Sequence, residues 1–525
     1  MMFRKGLLTA AVCAFSFTMT SSAPAAFFDI VIYGGGPQAV STALTAAKTS
    51  KGKAEILMIV PERQLGSIMT AGKQNLFDLN YYKPSVLPPG IPQGYEGSQG
   101  GSLFRFVRDL GAVYPPDEMA GYFSAQLQSA GGIQVLYETD ITGLEADGVE
   151  GRDQKEIRNI QFQKIRKDNS GRYTFQGDKA ASVEAEIFVD ASETGRLLRM
   201  SGAGYTTGRE DTDADQLQMV ATLMYKVKGV DAYAAIEPNK EAYGVAYSKK
   251  GSFQFWAGRE AYSIPELVEY DKNNAYFRLK AYNAGEDGYS HVGADTSATP
   301  FWMNHLIIYK VDARKSWRDK AAGNGLYPQS EGLDPEEARE LALRELSTPA
   351  FWEMIRKLPG FSKAGPVLEN GKPAVGDILY LRESIHARNK PGEPKEHALS
   401  KEDVMNGGQA LYNRRIGVGF YNFDSNTYLK HEVLTNPLHE PWYVPYEVIR
   451  TPDVANLLLP GYGANIDSYS WSAMRVFPNL IMLGDAAGAA AGLALAGKFE
   501  LDKPGQQEME LLQKTLYGQA AILEK

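Results

Sequence analysis

The sequence predicts an α/β protein of two or three domains, and two observations predict it. From Asp29 to Val40 the chain reads DIVIYGGGPQAV, a strand, a glycine turn and a helix, and the apolar stretch Ala54–Val60 follows as a second strand. From Gly208 the composition shifts toward aromatic and charged residues, where a second domain begins. With 525 residues, 44% of them hydrophobic, the chain has the length and the apolar content for such cores.

Each part of the first unit has its own reason. Ile30, Val31, Ile32 and Tyr33 form a short apolar run that Gly34, Gly35 and Gly36 stop. Pro37 suits a first helical position, where its missing N–H costs nothing, and the residues to Ser50 are rich in Ala, Leu and Thr. The resulting βαβ unit of about 30 residues has the form of a dinucleotide cradle. Gly34 allows the tight turn and Gly36 lets a pyrophosphate approach the backbone; Ala39 replaces the third glycine, where helix packs on strand. The helix N-terminus then faces the anion. Val60 stands where an acidic residue normally ends the second strand. Glu62, after Pro61, either reaches the ribose or stands as an exposed loop carboxylate.

The net charge of -8 offers no basic field for nucleic acid, so small-molecule chemistry is the expectation. Residues 1–26 read as an export signal: Arg4 and Lys5, a mostly apolar run from Gly6 to Phe17, then Ala23-Pro24-Ala25. An uncleaved anchor is the alternative, though Thr18–Pro24 is too polar to complete a bilayer span. Cys13, the only cysteine, lies inside that signal, so the mature protein would hold no disulfide, cysteine nucleophile or iron–sulfur ligand. Redox work would fall to a bound cofactor.

Further along, Gln64–Gly72 is a small-residue loop able to pack under a flat ring. Pro115–Ala130 has helical spacing, Gly132–Leu144 alternates like a strand pair with a turn, and Ile187–Ser192 is a strand ending in small residues. Asp211, Asp213 and Asp215 lack the glycine and glutamate of a calcium loop and read as a solvated acidic turn. Phe253, Phe255, Trp256, Trp302 and Tyr309 read as core or as a ring-binding pocket, and His305 as a satisfied buried residue. No metal is expected. Pro335–Arg356 reads as a solvated helix without a site. Asn479–Ala496 repeats the opening logic: a strand, Gly484-Asp485, then a helix of small residues, with Asp485 either accepting from polyol hydroxyls or capping the helix.

Together the cradle, LGSIMTAG from Leu65, VDASETGRLL from Val189, GREDTDADQLQMVATLMYKV from Gly208, LRESIHAR from Leu381, WYVPYEVI from Trp442 and RVFPNLIMLGDAAGAAAGLAL from Arg475 resemble the FAD-dependent oxidoreductase family of the glutathione-reductase-like flavoprotein class. The resemblance implies a Rossmann-like FAD-binding domain of glutathione-reductase type, split between residues 27–207 and 441–525, with an α+β substrate domain, 208–440, inserted. It implies that Gly34, Gly36 and Ala39 hold the diphosphate, Glu62 the ribose, and that Gly66 and Ser67 lie near the flavin. It further implies a backbone contact of Ile141 with adenine, Ala191 and Ser192 beside the diphosphate, and Gly484 and Asp485 on the ribityl chain. Two departures stand out. Tyr462 and Asp467-Ser468 occupy places where similar proteins carry an Arg and a Ser-His pair, and Ile385 and His386 interrupt a run of arginines.

The reading is an exported, periplasmic or secreted, flavoenzyme that moves two electrons between a small organic substrate and FAD, then to a second acceptor. No second glycine-rich βαβ unit is visible, which favours oxygen, a quinone or a cytochrome over a nicotinamide. Arg382 is placed to bind a substrate carboxylate and His386 to exchange a proton; the alternative is an Arg-Glu pair holding a domain junction. The rivals are a flavin reductase of activated double bonds and a non-catalytic carbohydrate-binding protein.

Overall fold

The computed structural model describes residues 26–525 except 80–81, 94–99, 169–170, 178, 214, 237–245, 248–252, 289–295, 391, 394, 431 and 433–438. All of the expected export signal but Ala26 therefore lies outside the described residues. The first sheet is built on β1 (Ala26–Tyr33), whose last four residues are buried on both faces, which is why they read as a continuous apolar run. After Gly36, α1 (Pro37–Thr49) crosses to β2 (Ile56–Ile59), parallel to β1. The order continues with β3 (Ile133–Leu136), β4 (Thr139–Gly148), β5 (Lys155–Lys167), β6 (Tyr173–Phe175) and β7 (Ala181–Asp190), arranged as β3-β2-β1-β7-β5-β4. Leu457–Leu458 adds a short parallel strand beside the end of β7.

Two local expectations are corrected. The stretch Gly132–Leu144 does form two strands, but they are not partners: β3 joins β2 in parallel and β4 pairs antiparallel with β5. Between them Glu138 takes a left-handed conformation (φ 48°), which turns the chain out of the line of β3. The second correction concerns Asn479–Ala496, where the expected strand does not form and one helix runs from Phe477 to Leu495. Its apolar residues are buried on every side, and a short apolar run of that kind carries no periodicity to tell helix from strand. The helix is long and apolar enough to cross a membrane, yet 89% of it is enclosed by the protein.

What holds that helix is a stripe of glycines facing α1. A Cβ on Gly484 would stand 2.1 Å from Ser41 Oγ and 2.3 Å from the Gln38 carbonyl, and one on Gly488 2.3 Å from the Thr42 carbonyl. Backbone approach at this distance excludes any side chain, as in small-xxx-small helix pairs.

The second sheet is antiparallel and lies wholly between residues 221 and 366. Its strands are Ala246–Tyr247, Phe253–Ala257, Phe277–Glu286, Phe301–Ile308, Tyr225–Lys228 and Gly365–Pro366 in that order, with Ala221–Thr222 beside Phe301–Ile308. Phe253 and Phe255 sit in its core among edge-on rings, and Trp302 and Tyr309 are also buried. Four members of the aromatic set are thus inside the protein, and Trp256 is half-buried. Pro335–Arg356 is two helices, Pro335–Leu346 and Pro349–Ile355, and both contribute to this core. Leu399, Val404, Ile416 and Phe423 return to the core of the first sheet, so the stretch 208–440 is shared between the two cores.

Gly488→Ala is expected to lower unfolding stability by about 1–3 kcal/mol, because the added methyl must displace backbone. Urea denaturation checks this against Gly518→Ala, where a Cβ would meet nothing within 4 Å.

Candidate functional site

Three backbone segments meet at the carboxyl edge of the parallel strands. Gly34 holds φ +118°, and a Cβ there would lie 2.7 Å from the Ala191 carbonyl oxygen. Ala191 N–H donates to the Tyr33 carbonyl at 2.9 Å, tying the end of β7 to the end of β1. The third segment arrives at Gly461, whose Cβ would lie 2.5 Å from the Ser192 carbonyl oxygen, and Tyr462 N–H donates to that oxygen at 2.9 Å. From this junction α1 sets out with Gly36 as its cap, no capping side chain and no acid in its first turn. Such an N-terminus is an anion site. Ala39 is fully buried in the α1 contact with the strands, as its small side chain requires.

The loop Gly66–Met69 closes the cradle from the side. Gly66 N–H donates to the Gly35 carbonyl at 2.7 Å, and Ser67 opens a short buried helical turn. Ser67 Oγ donates to Glu62 Oε1 at 3.4 Å, while Glu62 Oε2 is buried with no partner. Gln38, the second residue of α1, donates through Nε2 to the Ala191 carbonyl at 2.7 Å, leaving its Oε1 buried and unpartnered. Burial lifts the Glu62 carboxyl to about 7, with the Asp140 charge adding to it. It lifts Glu193 to about 8, with Glu62 adding. Gln38 and Glu193 were not singled out from the sequence. The signal available was their place, one beside Pro37 and the other between the small residues Ser192 and Thr194.

Ser192 commits its hydroxyl to Asp190 Oδ1 at 2.6 Å, so it shapes the turn more than it offers a donor. Ile141 and Asp485 depart from expectation. The Ile141 carbonyl already accepts from Arg196 Nε and Nη2 at 3.1 and 2.8 Å and has no free position for an adenine. Asp485 lies inside its helix and accepts from Ser102 N–H and Thr45 Oγ1, each at 2.8 Å. Thr45 is two turns along α1, about 12 Å from its start. Gly484 and Asp485 therefore pack the C-terminal core helix on α1 and do not reach a ribityl chain beside the cradle.

Beneath the cradle a buried ionic knot joins the first sheet to the helix Trp317–Ala322. Tyr33 Oη donates to Asp140 Oδ1 at 2.7 Å, Arg196 forks onto Asp319 at 2.6 and 2.7 Å, and Arg318 pairs with Asp140. Above it lies a cleft of about 130 Å³, lined by Glu62, Glu193 and Thr194 and by Arg318, Glu336 and Arg339. The helix Pro335–Leu346, expected to carry no site, supplies the last two.

Arg382 and His386 do not converge. His386 is fully buried, pairs through Nε2 with Glu383 Oε1 at 3.1 Å and packs edge-on against Trp471. Glu383 also accepts from Met219 N–H at 2.9 Å and from Ser468 Oγ, which bonds Tyr428 Oη. The Nδ1 of His386 is buried with no partner. Arg382 points the other way, donating to the Val220 carbonyl at 2.9 Å and to Asn304 Oδ1 at 3.0 Å, with Trp471 Nε1 bonded to its own carbonyl. The expected Arg-Glu pair is thus absent; Arg382 crosses to the second sheet while Glu383 holds His386. Asp211 is no solvated turn residue either, since it meets His397 Nε2 at 3.0 Å and accepts from Ser468 N–H.

The family model for FAD dependent oxidoreductases matches residues 29–516. The chain belongs to that family. No curated protein matches it. Among solved structures, the myxobacterial FAD-dependent halogenase CndH is 12% identical over 93% of this chain and 78% of its own, with a TM-score of 0.34. Pseudomonas aeruginosa PqsL in complex with 2-aminobenzoylacetate is 10% identical over 94% of each chain, with a TM-score of 0.32. The Thermovibrio ammonificans THI4 protein is 16% identical over 34% of this chain and 64% of that one, with a TM-score of 0.22. Membership makes the protein an FAD-dependent enzyme, and its two sheets and their helices give a mixed α/β fold.

The residues present fit FAD. The left-handed Gly34, the uncapped start of α1 and the unpartnered Glu62 oxygen give a diphosphate and a ribose diol their usual partners. Gly34→Ala is expected to abolish FAD retention in this family member, read as loss of visible flavin absorbance after desalting. A second outcome follows from the carboxyls. Glu62 and Glu193 ordinarily titrate near 4.5, so the FAD-free fold binds their protons more tightly than the unfolded chain does. Their contribution to stability is whole below pH 4.5 and is lost as pH rises through 7 and 8. Calorimetric Tm of FAD-free Glu62→Gln/Glu193→Gln should therefore gain on the parent protein between pH 5 and pH 8.5; a constant difference across that range would contradict it.

Proposed function

We propose that the protein is an exported FAD-dependent oxidoreductase that transfers a hydride between a small organic substrate and FAD, and passes the electrons on to oxygen, a quinone or a cytochrome. The observation that supports this most is that the parallel strands carry one cradle, at Gly34–Gly36, and the sequence has no second glycine-rich βαβ unit to seat a nicotinamide. The N-terminal Arg4-Lys5, apolar run and Ala23-Pro24-Ala25 support export.

When bound, FAD supplies a two-electron centre at which a substrate C–H is oxidised or re-formed. The chain's own residues bind and orient. Gly34, Gly36 and the start of α1 take the diphosphate, Glu62 takes ribose hydroxyls, and Ser67 fixes the Glu62 carboxylate. Tyr462 and Trp471, both buried and edge-on at 5.0 Å, exclude water between the cradle and Arg382.

The test uses the FAD-loaded mature protein without oxygen. NADH and NADPH are expected to leave the flavin band unbleached, while the photoreduced protein is re-oxidised by a soluble quinone or by admitted oxygen. Saturable bleaching by either nicotinamide would overturn the acceptor assignment, and residues 1–26 failing to carry a reporter out of the cytoplasm would overturn export.

A further inference from the structure

On the far side of Tyr462 from the cradle lies a group of charges that the cofactor does not use. Arg475, at the junction before the C-terminal core helix, donates to Tyr380 Oη at 2.9 Å and to Asp424 Oδ2 at 2.6 Å. Arg382 lies face-on to the same Tyr380 ring, 4.6 Å from its centre, and that ring stacks on Phe477. Lys280 belongs to the strand Phe277–Glu286, whose register slips between Leu279 and Asn283 so that it bulges opposite His305, next to the Asn304 that accepts from Arg382. Asp78 and Tyr421 complete the group, within electrostatic reach of Arg475 and Asp424. Arg382 and Arg475 are buried, whereas Asp78, Lys280, Tyr421 and Asp424 are half-buried, so the group opens to solvent on one side.

Of the three cations Lys280, Arg382 and Arg475, Arg475 is the one hydrogen-bonded to a carboxylate, that of Asp424. Arg382 is 1% exposed, its two hydrogen bonds go to neutral oxygens, and its Nε has no partner. A guanidinium taken out of water without an anion is costly, and a bound anion relieves that cost. The unpartnered Nε edge offers the planar fork that suits a carboxylate. Burial and the two guanidiniums also press Lys280 down to about 7, while burial and Asp424 lift Asp78 to about 6. An anion between the cations relieves the shift of Lys280.

We propose that the substrate is a small organic monocarboxylate whose carboxylate is held by Arg382, with Arg475 and Lys280 beside it. The assignment rests on the protein being a flavoenzyme acting on a small organic molecule. Tyr462 joins the two sites: its N–H bonds the Ser192 carbonyl at the cradle and its hydroxyl bonds the Leu381 carbonyl, one residue before Arg382.

Calorimetric titration of acetate, propionate and benzoate, each against its amide, into FAD-loaded and FAD-free protein tests this. At least one carboxylate is expected to bind 10-fold or more tightly than its amide, with that advantage lost in Arg382→Gln and partly kept in Arg382→Lys. Lys280→Gln, on the open rim, is expected to weaken the same carboxylate several-fold and decides the matter should Arg382→Gln not fold. Equal binding of acid and amide, no binding of any acid, or unchanged affinity in folded Arg382→Gln or in Lys280→Gln each overturns the assignment. A protein that discriminates acid from amide but whose flavin no donor or acceptor changes would keep this site and overturn the oxidoreductase reading instead.

Discussion

The site depends on how closely three pieces of main chain approach one another. Gly34, Ala191–Ser192 and Gly461–Tyr462 come from residues far apart in the chain, yet Gly34 and Gly461 both stand where the Ala191–Ser192 backbone leaves no room for a Cβ. Parallel strands make this possible, because their carboxyl ends lie side by side and the connections leave on opposite faces. The consequence is that α1 starts from a rigid platform with its first turn uncapped. Its other end is held by glycine against the C-terminal core helix, so the direction of α1 is set from both termini of the chain.

The helix Trp317–Ala322 is attached to the first sheet through charge. Arg196 and Arg318 reach Asp140 and Asp319 in a place almost free of water, and Tyr33 of the central strand donates into the same group. Buried ion pairs of this kind add little net stability over well-packed apolar residues, but removing one partner leaves an uncompensated charge. Their effect is therefore on geometry: the helix Trp317–Ala322 of the inserted part is held in one position over the ends of β1 and β4. That position sets the width of the cleft over the cradle.

Which parts were legible in the sequence follows from the range of the interactions. The cradle was, since strand, turn, helix and strand are neighbours in the chain and each has a local reason; β1, α1 and β2 form where Ile30–Tyr33, Pro37 and Ala54–Val60 indicate. His305 was legible as buried but not as satisfied: its Nδ1 bonds Tyr225 Oη at 3.0 Å, while its Nε2 is buried with no partner. The Asn479–Leu483 run was misread because nothing local distinguishes a buried strand from a helix buried on all sides. Asp485 was misread with it, its place at a helix start being part of the same error. Gln38 and Glu193 were missed because their partners, Ala191 and Glu62, lie on other segments. The cluster around Arg382 draws on residues from 78 to 475, and no spacing announces it.

Arg382 and His386 show why a motif in the chain is not a site in space. They are four residues apart around the short strand Ile385–Ala387, and Trp471 fills the gap between them, its ring on His386 and its Nε1 on the Arg382 carbonyl. Tyr462 lies against the other side of that ring, at the position where similar proteins carry an arginine. A large aromatic residue there does two things that an arginine would not. It adds no charge to a region that already holds the Arg382 guanidinium, and its hydroxyl fixes the Leu381 carbonyl, which aims Arg382 toward Asn304 and Tyr380. Tyr462 and Trp471 therefore leave Arg382 one aromatic layer away from the cradle, with its Nε unpartnered.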